Sequence, residues 1–326
     1  MRLHLVLAAA LLAGAGGCAE RRVTSPPEPI TIAAATIPNF SLVHLAQANG
    51  YFKEEGLAIT LQLHRFGKPA LESLLAGKAD LATCANSPVV LATLRGEPLS
   101  VLASIATSTR NNAVVALRAA GISSPADLTG KRIGVTLGTS GDFFLDTFLL
   151  RHGLDRQQVR LTDLKPEEMG AALERGEVDA VATWNPTAAG LQRRLGPKAA
   201  SFYAEEIYSE MAVLVARREF ARQRPEAARR LLRALVRAEA FFRDRPDDAR
   251  KAMAAALGDG GGLDGSLRQF VFRVRLDQGL LILLEEEARW ARRTGRTSSG
   301  ESPNFLETID PVPLLAVKPD AVGLIR

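Results

Sequence analysis

Cysteine is almost missing from this chain: Cys18 and Cys84 are the only two in 326 residues, which leaves no room for a disulfide framework. Histidine is as scarce, and His44, His64 and His152 fall one to an element, so no metal centre is expected. Aromatic residues make up 6% of the chain. That is too few to interleave with arginines as a nucleic-acid surface requires, and no nucleic-acid partner is expected. No apolar run approaches the roughly 20 residues that cross a bilayer as a helix. No candidate nucleophile sits in a loop beside a general base, so the chain is not expected to be an enzyme, and neither a cofactor nor a metal is expected.

What is present has ordinary globular balance, with 47% hydrophobic and 24% charged residues and length for two modest domains. Arg2 and the apolar run Leu5 to Leu12, followed by Ala13-Gly14-Ala15-Gly16-Gly17, read as a secretory signal over residues 1–17. Cys18 follows these small residues as in a bacterial lipoprotein signal, a similarity that implies acylation of its thiol and an anchor in the membrane. If Cys18 is lipidated, Cys84 is left as the sole thiol and reads as a small buried filler. Residues 18–29 are polar and proline-rich and read as a tether. The net charge is +5, or +4 once Arg2 leaves with the signal. Arginines from Arg217 to Arg250 and from Arg289 to Arg296 alternate with acids, the pattern of solvated helix faces.

From Ile30 the pattern alternates short β-rich runs with amphipathic helical runs, which implies βα units with mostly parallel strands in mixed sheets. Strands are expected at Ile30–Ala34, around Ile59 to Leu63, at Leu81–Thr83, Ala113–Leu117, Arg132–Val135, Val159–Leu161, Ala180–Thr183 and Met211–Ala216. Helices are expected at Ser41–Ala48, Pro69–Ala76, from Ser87-Pro88 to Leu94, and at Asp142–Arg151, Pro166–Arg175 and Thr187–Leu195. Beyond residue 216 the chain reads as helical: Pro225–Arg243, Pro246–Leu257, Ser266–Arg275 and Gln278–Thr294. Gly258–Gly262 and Thr297–Glu301 read as loops. Two turns, Gly77-Lys78-Ala79-Asp80 and Gly176-Glu177-Val178-Asp179, precede equivalent strands and suggest two similar α/β lobes. The expected division is 30–113 for lobe 1, 114–210 for lobe 2, and 211–326 as a return to lobe 1 with C-terminal helices.

Open α/β sheets place ligands beyond the carboxyl ends of their strands. The loops there are Ile37-Pro38-Asn39-Phe40, Cys84-Ala85-Asn86-Ser87, Gly138-Thr139-Ser140-Gly141 and Trp184-Asn185-Pro186. The third is the most informative, because a strand ending at Val135 meets a small-residue loop that opens into a helix, with Thr139 or Ser140 as its N-cap. Backbone N–H groups at such a helix start form a cradle for an anion or polar group. The loop lacks the lysine of a nucleotide phosphate loop, which argues against nucleotide hydrolysis. Such an inventory can hold a solute and offers little with which to transform it.

At this point Ala46 to Leu57, the two turn aspartates, Asp127 to Val135 and Leu214 to Phe220 together resemble one family, the nitrate/sulfonate/taurine-type solute-binding proteins of ABC importers, which also includes binders of thiamine-pyrimidine precursors. The resemblance implies a two-lobed periplasmic-binding-protein type II fold, closure on a small polar, anionic or neutral solute, a monomer, and docking on an ABC permease with its ATPase. It places Asn39, Phe40, Asn86 and Ser87 in the pocket from the first lobe, and Thr139, Ser140, Gly141, Trp184 and Asn185 from the second. Where the family commonly has Trp-Glu-Pro or Trp-Asp-Pro this chain has Trp184-Asn185-Pro186, and the lost carboxylate tilts the solute toward a neutral or anionic one. Glu210 and Tyr208, just before the Met211 strand, are candidates to meet a ligand amine. An alternative with a heteroaromatic pyrimidine solute stands beside this. So does a pyrimidine-synthase-like enzyme on the same fold, which would need an iron-binding cysteine cluster that one remaining thiol cannot form.

Overall fold

The computed structural model describes residues 26–258, 264–297 and 303–325. The signal segment 1–17 and Cys18 lie outside the described residues, as do most of the loops expected at 258–262 and 297–301.

Among the described residues, twelve strands form two sheets. They are β1 (Glu28–Ala35), β2 (Leu57–His64), β3 (Leu81–Ala85), β4 (Leu99–Ser108), β5 (Asn112–Leu117), β6 (Arg132–Val135), β7 (Arg160–Asp163), β8 (Ala180–Trp184), β9 (Ala199–Phe202), β10 (Glu210–Arg217), β11 (Val271–Asp277) and β12 (Val322–Gly323). The first sheet runs β12-β11-β4-β10-β3-β1-β2 and the second β7-β6-β8-β5-β9. Each holds a parallel trio, β2-β1-β3 in one and β7-β6-β8 in the other, followed by antiparallel strands. The sheets are mixed, as the alternating pattern suggests. Antiparallel pairings are as numerous as parallel ones, because β4, β9 and β11 join strands the pattern already shows. The chain crosses between the sheets from β4 to β5 and again from β9 to β10.

The two Gly-x-x-Asp turns do equivalent work. Gly77 (φ 72°) and Gly176 (φ 66°) take the left-handed conformation that closes each turn. Asp80 then accepts from the Thr31 amide at 2.9 Å, and Asp179 accepts from the Arg132 amide at 2.8 Å. In each sheet a turn carboxylate thus satisfies an amide near the start of the central parallel strand, β1 in one and β6 in the other.

Three expectations are corrected. Glu28 and Pro29, expected in the tether, belong to β1, paired with Leu57 and Ala58. Residues 266–275 are not one helix: a short turn, Asp264–Leu267, gives way to β11, where Phe272, Val274 and Leu276 are buried and Val271 and Arg273 exposed. That period of two puts one face on the core and one in solvent. The helix after β3 starts at Asn86, one residue before Ser87, and its N-cap is Ala85. The remaining C-terminal elements return to the first sheet, with β11 and β12 extending it. Pro225–Asp244 and Pro246–Ala256 pack on helix Ser41–Ala48.

Candidate functional site

Three helices begin at one cleft: Gly67–Leu75 after β2, Asn86–Leu94 after β3 and Ser140–Arg151 after β6. None of the three has a side-chain cap on its first turn. Thr139, the N-cap of the Ser140 helix, spends its hydroxyl instead on the Thr136 carbonyl at 2.7 Å. Backbone amides at these helix starts are left for whatever enters the cleft, with the positive ends of the helix dipoles behind them. Gly67 makes this convergence possible. A Cβ there would stand 2.7 Å from the Cα of Cys84, so only glycine lets the helix start lie against β3.

The cleft is lined by Ile37, Asn39, Phe40, Phe66, Gly67, Lys68, Ala85, Pro88, Thr139, Ser140, Trp184 and Glu210. Residues on both sheets contribute. Trp184, at the end of β8, is 5% exposed, and its ring lies 5.7 Å from that of Phe66, which comes from the first sheet. Opposite these apolar walls stands Glu210, 3% exposed, at the start of β10. It accepts from Asn39 at 2.9 Å and Asn111 at 2.8 Å on one oxygen, and from Asn112 at 2.6 Å on the other. Burial pushes the Glu210 carboxyl above the usual glutamate range, and the side chains of Asn112, Ser140, Asn111 and Asn39 oppose that shift. The carboxylate thus ties the first sheet's side (Asn39) to the crossover (Asn111) and to β5 of the second sheet (Asn112).

Of the residues expected in the pocket, Asn39, Phe40, Thr139, Ser140, Trp184 and Glu210 meet in the cleft. Four do not line it. Asn86 and Ser87 are fully buried and turn away to a second carboxylate, Glu287, to which Ser87 donates at 2.9 Å; Asn86 also donates to Glu287 and accepts from the Met211 amide at 3.0 Å. Gly141 serves by its smallness, since a Cβ there would stand 3.2 Å from two Trp184 ring carbons. Asn185 donates to Gln269 at 2.9 Å and accepts from the Ala189 amide at 3.1 Å inside the first turn of helix Thr187–Leu195. The argument that its missing charge tilts the solute therefore falls away, because position 185 does not face the cleft. Tyr208 is also buried beneath the cleft, against Phe143 with ring centroids 5.3 Å apart.

Sequence reasoning passed over Lys68. It follows β2, whose loop Arg65-Phe66-Gly67 was not among those collected, and its signal was its place at a strand's carboxyl end before a helix. Its ammonium donates to the Leu137 carbonyl at 3.1 Å, reaching from the first sheet's side to the second's. Glu287 was also out of reach, being supplied by helix Gln278–Arg293 about 200 residues downstream of its partners. Among the described residues no group of three or more His, Cys, Asp or Glu could hold a metal ion. Cys84 is buried, and burial pushes its thiol far above the usual range.

With this geometry in view, comparison with known proteins is specific. The model of the family described as "NMT1/THI5 like" matches residues 37–249. The taurine-binding periplasmic protein of Escherichia coli (strain K12) is 26% identical over 197 residues, 60% of this chain and 61% of that protein. The alkanesulfonate-binding protein SsuA from Xanthomonas axonopodis pv. citri, solved bound to MOPS, superposes with a TM-score of 0.75 at 18% identity, over 88% of this chain and 99% of that one. The desulfurization enzyme DszB superposes with a TM-score of 0.64 at 21% identity, over 90% and 99%. The two superpositions establish a shared fold, that of solved binding proteins and of at least one enzyme.

Proposed function

Because the chain belongs to the NMT1/THI5-like family, we propose that it is the extracytoplasmic solute-binding component of an ABC importer, capturing a small polar organic solute of sulfonate or taurine type. The observation that carries this reading is the cleft itself. Two sheets joined by two crossovers present uncapped helix starts and aromatic walls to one cleft. In this reading residues 30–113 and 211–326 form one lobe and 114–210 the other, although β5 of the second sheet begins at Asn112 and β10 of the first at Glu210. Segment 1–17 directs export, Cys18 carries the lipid anchor on the outer face of the membrane, and the closed form docks as a monomer on a permease with its ATPase.

Capture needs no bond chemistry. A solute touching both sides of the cleft binds the closed arrangement better than any open one, and shifts the population by that difference in affinity. The buried Cys84 thiol, held protonated, supports binding over catalysis on this fold. Phe66 and Trp184, tilted against each other at 5.7 Å, also give the cleft an aromatic wall on which a heteroaromatic ring can pack, which keeps the thiamine-precursor pyrimidine as the second reading.

The deciding experiment is a thermal-shift screen of the purified protein against taurine, alkanesulfonates, nitrate and aminopyrimidines, followed by calorimetry. A native-state ligand at 100 times its Kd adds about 2.7 kcal/mol of stability and raises the melting temperature accordingly. Shifts with taurine or alkanesulfonates support the reading, and shifts with pyrimidines alone replace it by the second. Chemical turnover of any of these compounds would end it.

A further inference from the structure

Among the described residues, two side chains of opposite kinds are left open to a ligand at this cleft. Lys68 is half-buried and lines it; its ammonium reaches only the Leu137 carbonyl, and no carboxylate among the described residues pairs with it. Around it, the Ser140 and Gly141 amides have no protein acceptor, as is usual at an uncapped helix start. Asn39 lines the cleft at 3% exposure, and its Oδ1 is buried without any hydrogen-bond partner. The orientation of that amide is fixed, since its Nδ2 donates to Glu210 at 2.9 Å. Ile37, Phe40, Phe66, Pro88 and Trp184 line the same cleft, with the Glu210 carboxylate beside Asn39.

A buried acceptor left unpaired costs free energy that a ligand donor can recover, and an unneutralised ammonium beside free amides favours an anion. Apolar walls favour a carbon skeleton over a bare inorganic ion. Resting on the solute-binding reading above, we infer that the solute is an organic anion that also carries a hydrogen-bond donor, its acid group held by Lys68 and the Ser140 helix start and its donor by Asn39 Oδ1. Lys68 is then the residue that selects for negative charge. Gly67 is what places it, because the tight approach of Gly67 to Cys84 sets the first turn that carries Lys68 into the cleft.

The test is calorimetry on wild type, Lys68→Gln, Lys68→Arg and Asn39→Ala with taurine, ethanesulfonate and nitrate. Taurine is expected to bind about tenfold or more tighter than ethanesulfonate, and nitrate weakest. Lys68→Gln should weaken both sulfonates by about tenfold to a hundredfold, while Lys68→Arg keeps most of the affinity. Glutamine can still donate to the Leu137 carbonyl, so the contrast isolates charge from bridging. Asn39→Ala should erase the preference for taurine over ethanesulfonate. Sulfonate affinity unchanged in Lys68→Gln, or nitrate binding tighter than taurine, overturns the inference and leaves the solute-binding reading standing. Failure of the wild type to bind any of the three overturns both.

Discussion

The Trp290 indole donates to Asp146 at 2.6 Å, and in doing so ties helix Gln278–Arg293, which packs on the first sheet's side, to helix Ser140–Arg151, which follows the second sheet's β6. Arg296 reinforces the tie through two hydrogen bonds to Asp142, at 2.9 and 2.6 Å, while its guanidinium lies 4.3 Å from the Trp290 ring centroid. Asp142 also accepts from the Gly138 amide at 2.9 Å and from Arg156, and its side chain is wholly buried. Asp142→Ala would take from Arg296 the carboxylate it pairs with in a part-buried site, while Arg156 keeps Asp146. A loss of about 3–5 kcal/mol is expected, read from urea denaturation. A loss below about 1 kcal/mol, the scale of exposed pairs, would mean that solvent already screens the cluster.

Burial raises the Glu287 carboxyl well above the usual glutamate range, and one of its oxygens has no partner. The folded state then holds the proton more tightly than the unfolded chain does. Stability from this group is full below the ordinary glutamate value and is lost as pH rises toward the raised folded value. Glu210 is shifted in the same direction for the same reason. Glu287→Gln cannot ionise and its oxygen can still accept from Asn86 and Ser87. The variant is expected to gain stability over wild type as pH climbs from about 5 to 8, by urea titrations at several pH values. Parallel curves for the two proteins would contradict the burial account.

Two glycines at the cleft separate backbone fit from ring fit. At Gly67 the added methyl meets the Cα of Cys84 at 2.7 Å, and a strand backbone cannot step aside. At Gly141 it meets two edge carbons of Trp184 at 3.2 Å, a contact that a ring can relieve by moving a few tenths of an ångström. Gly67→Ala is expected to cost about 1–3 kcal/mol, whereas Gly141→Ala costs less than about 1 kcal/mol but displaces a cleft wall and lowers solute affinity. Equal stability losses for the two would show that the Trp184 ring is as immobile as the strand.

The alternation of short apolar runs and capped helices made the two parallel trios legible, because β1, β2 and β3 carry period-two or all-apolar runs closed by glycine turns. β4 escaped notice. Ser100, Ser104 and Ser108 interrupt its apolar run, yet the strand is covered on both faces and those serines are buried, with Ser104 donating to the Arg275 carbonyl at 2.9 Å. Asn39, Phe40, Thr139, Ser140 and Trp184 could be found from their loops, since the loop after each strand points to the same end of its sheet. Asn86 and Ser87 lie on such a loop too, but their side chains answer to Glu287, a carboxylate that no local pattern connects to them. Lys68 was legible in principle, at the carboxyl end of β2.

Ser140→Asp distinguishes the site from the fold most cleanly. Ser140 opens a twelve-residue helix, where an added carboxylate sits at the positive end of the dipole and is favourable by about 0.3–1 kcal/mol. It also stands beside Glu210, so two acids would face each other at 5% exposure. The like-charge cost exceeds the dipole gain, and the urea midpoint is expected to fall while the protein stays folded. For an anionic solute the change is unfavourable again, because the new charge occupies the helix start that would receive the acid group. Calorimetry is expected to show sulfonate affinity reduced by about a hundredfold or more, the scale of like charges brought together at a partly desolvated interface. Unchanged affinity in a folded Ser140→Asp protein would place the anion elsewhere, and with it the whole arrangement of Lys68 and the Ser140 helix around a solute.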